Sequence, residues 1–330
     1  MEFYTIKIFN IQLLKFNYIV FYYFMRAVLF PGQGSQYVGM GSDFYKKFDL
    51  VKKNFEIVDK TLGFPLSDII LNGPDEELKL TQNTQPAIMT LGVSIFNVLN
   101  KHFNFNLKGA KFFAGHSLGE YTALVCAGSL TIEKAAYLLH ERGKSMQDAV
   151  PSGQGTMMAI LGMTIDEVEK EINLLSKEES CEIANDNCDG QVVVSGKKIA
   201  IEIFNKKLRD KKKRGILLPV SAPFHCSLMK KAAENMKEKI ESTNFLQPNP
   251  KIISNVTAKE EVDVNKIKPL LIDQITSRVR WRESIHYMVK EGVLNFLEIG
   301  PGKVLSGLVK KINKDLKISN ISSIEDIKND

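Results

Sequence analysis

Gly115-His116-Ser117-Leu118-Gly119 decides how the chain is read. It follows the pattern G-x-S-x-G, and its flanks carry more information than the pattern. Ala110-Lys111-Phe112-Phe113-Ala114 before it is short and apolar, as a buried strand would be. Glu120-Tyr121-Thr122-Ala123-Leu124-Val125-Cys126-Ala127 after it reads as a helix ending near Gly128. Strand, tight turn and helix form the setting of a nucleophile elbow. A glycine on each side of Ser117 lets the backbone turn sharply and lets strand and helix approach closely. The serine then stands at a helix N-terminus, where unpaired N–H groups and the dipole favour developing negative charge.

At 330 residues the chain can hold one large domain with an insertion, or two domains. Its 44% hydrophobic and 25% charged residues are ordinary for a globular protein with a sizeable core. A net charge of +6 is too mild and too dispersed for a nucleic-acid binder, but suits an acidic protein partner. Cys126, Cys181, Cys188 and Cys226 include no C-x-x-C pair and no zinc-like spacing, so they read as reduced thiols of a cytoplasmic protein. Residues 1–24 are rich in Phe, Tyr, Ile, Asn and Lys and lack Gly, Pro and Ala. Lys7 and Lys15 break the apolar run, which argues against a transmembrane span or stable membrane insertion. The pattern is not that of a signal peptide. The expectation is an N-terminal extension over 1–25, with Met25 as the natural start; a membrane-associating segment is the competing reading.

Strand Ala27-Val28-Leu29-Phe30 runs into Pro31-Gly32-Gln33-Gly34-Ser35-Gln36. Gly32-x-Gly34 has no third glycine at dinucleotide-binding spacing, so the loop reads as one whose N–H groups approach a ligand. Residues 42–80 read as short amphipathic helices broken at Gly63-Phe64-Pro65 and Gly73-Pro74. Thr84-Gln85-Pro86 opens a long apolar helix to about Phe103. Thr131 caps a helix to about Val150 that carries Arg142. From 155 to 220 the rhythm changes. Met157–Leu161, Glu182–Ala184, Gln191–Ser195 and Gly215–Val220 read as strands. A capped helix from Thr164 to about Ser176 and a basic helix from Lys198 to Arg214 lie among them. The order βαββαβ matches a ferredoxin-like unit. An α/β pattern then returns, with strands Lys251–Val256 and Asn295–Ile299 and a helix near Val304–Ile312. The fold class is therefore α/β: an α/β-hydrolase-like core with a parallel sheet over 26–154 and 221–330, and an inserted ferredoxin-like subdomain over 155–220.

A serine hydroxyl needs a base within hydrogen-bond reach. His102, His140 and His286 fall on expected helices and read as ordinary helical histidines. His116 adjoins Ser117 on a sharp turn and should point away from it. His225, in Ser221-Ala222-Pro223-Phe224-His225-Cys226, lies between a strand end and a helix, where functional loops sit. It also follows the serine in chain order, as in α/β-hydrolases. Between the two, no Asp or Glu outside the insertion occupies an obvious strand-end loop. A serine–histidine dyad oriented by a backbone carbonyl fits this pattern.

Six ordered motifs carry a resemblance. They are Phe30-Pro31-Gly32-Gln33-Gly34-Ser35-Gln36, Gly115-His116-Ser117-Leu118-Gly119-Glu120-Tyr121, Arg142-Gly143-Lys144, Asn185-x-Asn187-x-x-Gly190-Gln191-Val192-Val193, Pro223-Phe224-His225 and Glu298-Ile299-Gly300-Pro301-Gly302. Over about 26–315 the chain resembles the malonyl-CoA:acyl carrier protein transacylases of fatty-acid synthesis. The resemblance implies that Ser117 is the nucleophile that carries the acyl group and His225 its base. It implies an oxyanion hole from the backbone N–H groups of Gln33 and Leu118, and a carboxylate partner in Arg142. It further implies that the main-chain carbonyl of Gln274 orients the histidine and that Asn187 supports the histidine loop. The substrates would be malonyl-CoA and a phosphopantetheinylated acyl carrier protein, with no bound cofactor and no metal; the protein would be a monomer.

Physical chemistry fits these roles. A malonyl carboxylate is costly to bury without a partner, and a guanidinium grips it bidentately as lysine cannot. Taken alone, Arg142 would read as a surface charge on a helix; within the motif set it reads the acyl group. Phe224 before His225 also resembles the malonyl-type version of this motif, which implies a bulky ring that narrows the acyl pocket and disfavours a branched acyl group. Acyl carrier proteins are acidic, so Lys206–Arg214 is the first candidate dock, with Lys230 and Lys231 the second. The rival readings are a serine thioesterase or esterase, which has no need of Arg142, and a catalytically silent carrier-binding module, which has no need of Ser117 and His225.

Overall fold

Strands buried on both faces organise the larger part of the molecule. A computed structural model describes residues 25–151, 153–175, 181–220 and 222–329. The reading of 1–24 as an upstream extension lies outside these residues. In chain order the strands are β1 (Arg26–Phe30), β2 (Phe112–Gly115), β3 (Gly155–Leu161), β4 (Cys181–Cys188), β5 (Gln191–Lys197), β6 (Arg214–Leu217), β7 (Lys251–Ile253), β8 (Glu260–Glu261), β9 (Asn295–Ile299) and β10 (Lys317–Ile321).

The core sheet runs β10-β9-β1-β2-β7-β8, parallel throughout except at β8. Successive side chains on a strand face opposite ways. Val28, Phe30 and Phe113 therefore pack with the helix Thr81–His102 on one face. Ala27, Leu29 and Phe112 pack with Trp281, Ile285 and Leu308 on the other. Covered faces explain the uninterrupted apolar runs of β1 and β2. The loops after β1, β2 and β7 converge at the strands' C-terminal ends, where open α/β sheets place their ligands.

The second sheet is antiparallel, ordered β4-β5-β3-β6. Helices Ile165–Asn173 and Lys198–Asp210 cover it through Val168, Ile201, Phe204 and Leu208. With β5 lying between β3 and β4, this is the split arrangement of a ferredoxin-like unit. Its edge strand β4 is tied to the core. Asp186 N–H donates to the Val279 carbonyl at 2.9 Å, and Val279 N–H donates to Ala184 at 2.8 Å. Arg282 grips the buried Asp186 carboxylate through Nε and Nη2, both at 3.0 Å.

Several boundaries differ from the expectations. The long helix begins at Thr81, not Thr84, and so carries Pro86 inside it. Proline has no N–H to offer Gln82. His140 Nδ1 lies 3.0 Å from the Gln82 carbonyl instead, which gives that histidine a structural task. The basic helix stops at Asp210, because Lys212 turns left-handed (φ 57°) and Arg214 already belongs to β6. Strand β4 continues through the polar Asn185-Asp186-Asn187, and β7 ends before Asn255. Strands β8 and β10 were not anticipated. No helix among the described residues is long and apolar enough to cross a membrane.

Candidate active site

Ser117 sits in the left-handed region (φ 53°) between β2 and the helix Gly119–Cys126. The two flanking glycines are required by contact. A Cβ on Gly115 would lie 1.9 Å from the Gly119 carbonyl carbon, and one on Gly119 would lie 2.2 Å from the Phe30 oxygen. Asn255, just past β7, clamps the turn from the side. Its Oδ1 accepts from Ser117 N–H at 2.7 Å and its Nδ2 donates to the Gly115 carbonyl at 2.7 Å.

His225 also adopts a left-handed backbone (φ 59°) and is buried. Its Nε2 lies 2.9 Å from Ser117 Oγ, and its Nδ1 lies 2.8 Å from the Gln274 carbonyl. A carbonyl accepts only, so Nδ1 carries the proton and Nε2 faces the serine as an acceptor. Burial, reinforced by the Arg142 charge, pulls the imidazole down to about 3. The ring is therefore neutral at physiological pH and able to take a proton.

Arg142 is only 1% exposed. It reaches the site because its helix, Ile132–Asp148, approaches the start of Thr81–His102 closely at Gly143. A Cβ there would lie 2.5 Å from Gln82 Cα. Nη2 donates to Ser117 Oγ at 3.1 Å and to Gln274 Oε1 at 2.7 Å, while Nη1 donates to Gln85 Oε1 at 2.8 Å. Burial lowers its affinity for its proton, yet a guanidinium keeps its charge in a protein. The Arg142 carbon Cζ also lies 5.9 Å from the Tyr121 ring centroid.

A cavity of about 510 Å³ opens onto Ser117, Arg142 and His225 and is also lined by Gln33, Leu118 and Phe224. The backbone N–H groups of Gln33 and Leu118 take no partner among the described residues. Six of the seven residues singled out from sequence thus gather at one place. Asn187 does not support the histidine loop as expected. Its Oδ1 lies 3.0 Å from Nε2 of His116, whose ring packs against Trp281 with centroids 5.6 Å apart. On the same strand it is Glu182 that meets the histidine loop, its carboxylate accepting from Ser227 N–H at 3.1 Å.

Sequence reasoning missed Asn255, Gln85 and Glu120. Asn255 lies one residue beyond an apolar strand run, a position worth suspicion. Glu120 was legible as a lone carboxylate in an apolar helix. It is 3% exposed, and burial pushes its carboxyl up to about 7.

The acyl transferase domain family matches residues 28–329. A malonyl CoA-acyl carrier protein transacylase of Bacillus subtilis is 44% identical over 303 residues, spanning 91% of this chain and 94% of that protein. The chain belongs to the malonyl CoA-acyl carrier protein transacylase family. The acyl-carrier-protein-S-malonyltransferase of Bartonella henselae superposes with a TM-score of 0.89 at 43% identity, covering 92% and 97% of the two chains. A malonyl-transacylase solved in complex with a type II PKS acyl-carrier protein gives 0.88 at 36% identity, covering 92% and 98%.

Proposed function

We propose that the chain moves a malonyl group from malonyl-CoA to the phosphopantetheine thiol of an acyl carrier protein through a malonyl ester on Ser117, supplying fatty-acid elongation. The observation that carries this reading is the buried Arg142 guanidinium 3.1 Å from Ser117 Oγ. A plain esterase gains nothing from a buried cation against its nucleophile. A carboxylated acyl group has a use for one.

In the first half-reaction Ser117 Oγ attacks the thioester carbonyl while His225 Nε2 takes its proton. The Gln33 and Leu118 N–H groups receive the oxyanion, and each such donor is worth about 3 kcal/mol. The C–S bond breaks, and CoA leaves as its thiol with the proton from His225. In the second half the carrier thiol gives its proton to His225 and its sulfur attacks the ester carbonyl. Ser117 Oγ leaves and recovers the proton. Arg142 holds the distal carboxylate throughout. Gln274, through its main-chain carbonyl, keeps the imidazole in the productive tautomer. The Phe224 ring at the cavity wall disfavours a branched acyl group.

The carrier would dock on the exposed cations between Lys206 and Arg214. That patch runs into β6, and the chain after β6, Leu218 to Val220, lines the cavity. Lys230 and Lys231, at the start of the helix that follows His225, form the alternative surface. The four buried thiols suit a cytoplasmic setting. The test is to supply malonyl-CoA with and without phosphopantetheinylated carrier. Malonyl-carrier should accumulate; release of malonate with no malonyl-carrier would refute the transfer reading.

A further inference from the structure

Glu120 is a buried carboxylate to which the mechanism above assigns no step. It lies three residues past the nucleophile, in the first turn of Gly119–Cys126. Its Oε2 accepts from the Gln274 side-chain Nε2 at 2.7 Å and from the Asn255 backbone N–H at 3.1 Å. Gln274 Nε2 also donates to the Ser117 carbonyl at 3.1 Å, while its Oε1 accepts from Arg142 Nη2.

A side-chain amide has one donor end and one acceptor end. With the NH2 end committed to Glu120 and Ser117, the oxygen end must face the guanidinium. A flipped amide would set donor against donor at Arg142 and acceptor against acceptor at Glu120. Glu120 thus places a counter-charge near a buried cation without touching it. A direct ion pair would have occupied an edge of the guanidinium. The interposed amide leaves Arg142 Nε buried and without a partner among the described residues. Nε and Nη2 form one edge, the edge by which Arg282 grips Asp186. Nη2 already spends its two N–H groups on the Ser117 hydroxyl and the Gln274 oxygen, so Nε is the donor on that edge left for a carboxylate.

We propose that Glu120 is a positioning residue for acyl-group selection: through the Gln274 amide it holds Arg142 at the acyl pocket with Nε unpaired, the donor that a carboxylate would take. This rests on the malonyl-transfer reading and adds to it the residue that prepares the arginine.

The test compares Glu120→Ala and Glu120→Gln in the full chain. The readout is acylation of Ser117 by malonyl-CoA and by acetyl-CoA, with KM and kcat resolved separately. Glu120→Ala should raise the malonyl-CoA KM roughly tenfold or more, leaving kcat and both acetyl parameters within about threefold. Glu120→Gln keeps an acceptor oxygen for Gln274 and should restore the malonyl KM. A pH profile adds a readout that a purely structural role would not move. The groups facing Glu120 are the Gln274 amide, the Asn255 N–H, Tyr121 and, beyond the amide, Arg142. With the carboxyl pushed up to about 7 by burial, it is neutral below that pH and leaves the Arg142 field undiminished. The native malonyl KM should therefore rise with pH through neutrality, and that of Glu120→Gln should stay flat. Equal losses for both acyl groups in Glu120→Ala, or a native-like pH profile in Glu120→Gln, would overturn the role. If the alanine variant does not fold, the glutamine profile decides alone. The half-reaction needs no carrier, so failure here is distinct from failure to form malonyl-carrier.

Discussion

Arg142→Ala is the substitution with the most informative outcome. Arg142 is 1% exposed and makes three hydrogen bonds, all to neutral groups. Among the described residues lining the cavity, the other side chain of fixed positive charge is Lys79, which is exposed and paired with Asp75. A malonyl carboxylate in the truncated site would therefore be buried without a partner. Removing one member of a buried charge pair costs about 3–5 kcal/mol. At about 1.4 kcal/mol per tenfold change, malonyl acylation should lose roughly two to nearly four orders of magnitude in kcat/KM. An acetyl group presents a methyl in place of the carboxylate and forgoes nothing. Acetyl acylation should stay within about tenfold of native. The assay is single-turnover acylation of intact protein, followed by mass, with the two acyl-CoAs in parallel. Equal losses for both would show that Arg142 supports the site generally and does not read the carboxylate.

Three further outcomes follow from the geometry. Gly119→Ala would press a methyl to 2.2 Å from the Phe30 oxygen and should cost about 3 kcal/mol or more in thermal unfolding; an unchanged midpoint would contradict the close packing of the elbow. Asn255→Ala removes both clamps on the turn, so kcat should fall about ten- to a hundredfold for malonyl and acetyl alike, and a loss confined to malonyl would refute the assignment. His225 has its folded-state value pulled down to about 3 from an unfolded value near 6.5. Acylation should accordingly show no histidine inflection between about pH 5 and 8. Stability should fall as pH drops from near 6.5 towards 3, because the unfolded chain takes up the proton first. His225→Ala should weaken that acid dependence, and an inflection near 6.5 in the rate of acylation by acetyl-CoA, which carries no carboxylate for Arg142 and Glu120 to act on, would contradict the buried neutral imidazole.

Much of the fold was legible because periodicity and punctuation agree along this chain. Strands β1 and β9, the elbow and the βαββαβ order stand out as apolar runs bounded by glycine, proline and capping residues. The boundaries that escaped are those where tertiary contacts override local signals. Pro86 sits inside a helix because His140 reaches the carbonyl that the proline leaves unserved. Strand β4 runs through Asn185-Asp186-Asn187 because Val279 and Arg282 satisfy polar groups that look like a turn in sequence. In the site, Ser117 and His225 were found because nucleophile and base occupy recognisable positions beside a strand or helix end. Arg142 needed the motif set, since an arginine on a helix has no local mark of burial. Asn255 and Glu120 act only through residues more than 130 positions away, on the Ser117 turn and at Gln274 and Asn255 respectively, and no local pattern connects them. Asn187 was recognised, but its partner is His116.

The central claim is that Ser117 holds the acyl group between two thiols. The direct measurement is the intact mass of the chain after brief exposure to malonyl-CoA, with peptide mapping of the modified residue and a chase with phosphopantetheinylated carrier protein. The expected result is one malonyl group on Ser117, none in Ser117→Ala, and disappearance of the adduct in step with the appearance of malonyl-carrier. An unmodified Ser117, or an adduct that the carrier thiol does not discharge, would contradict it.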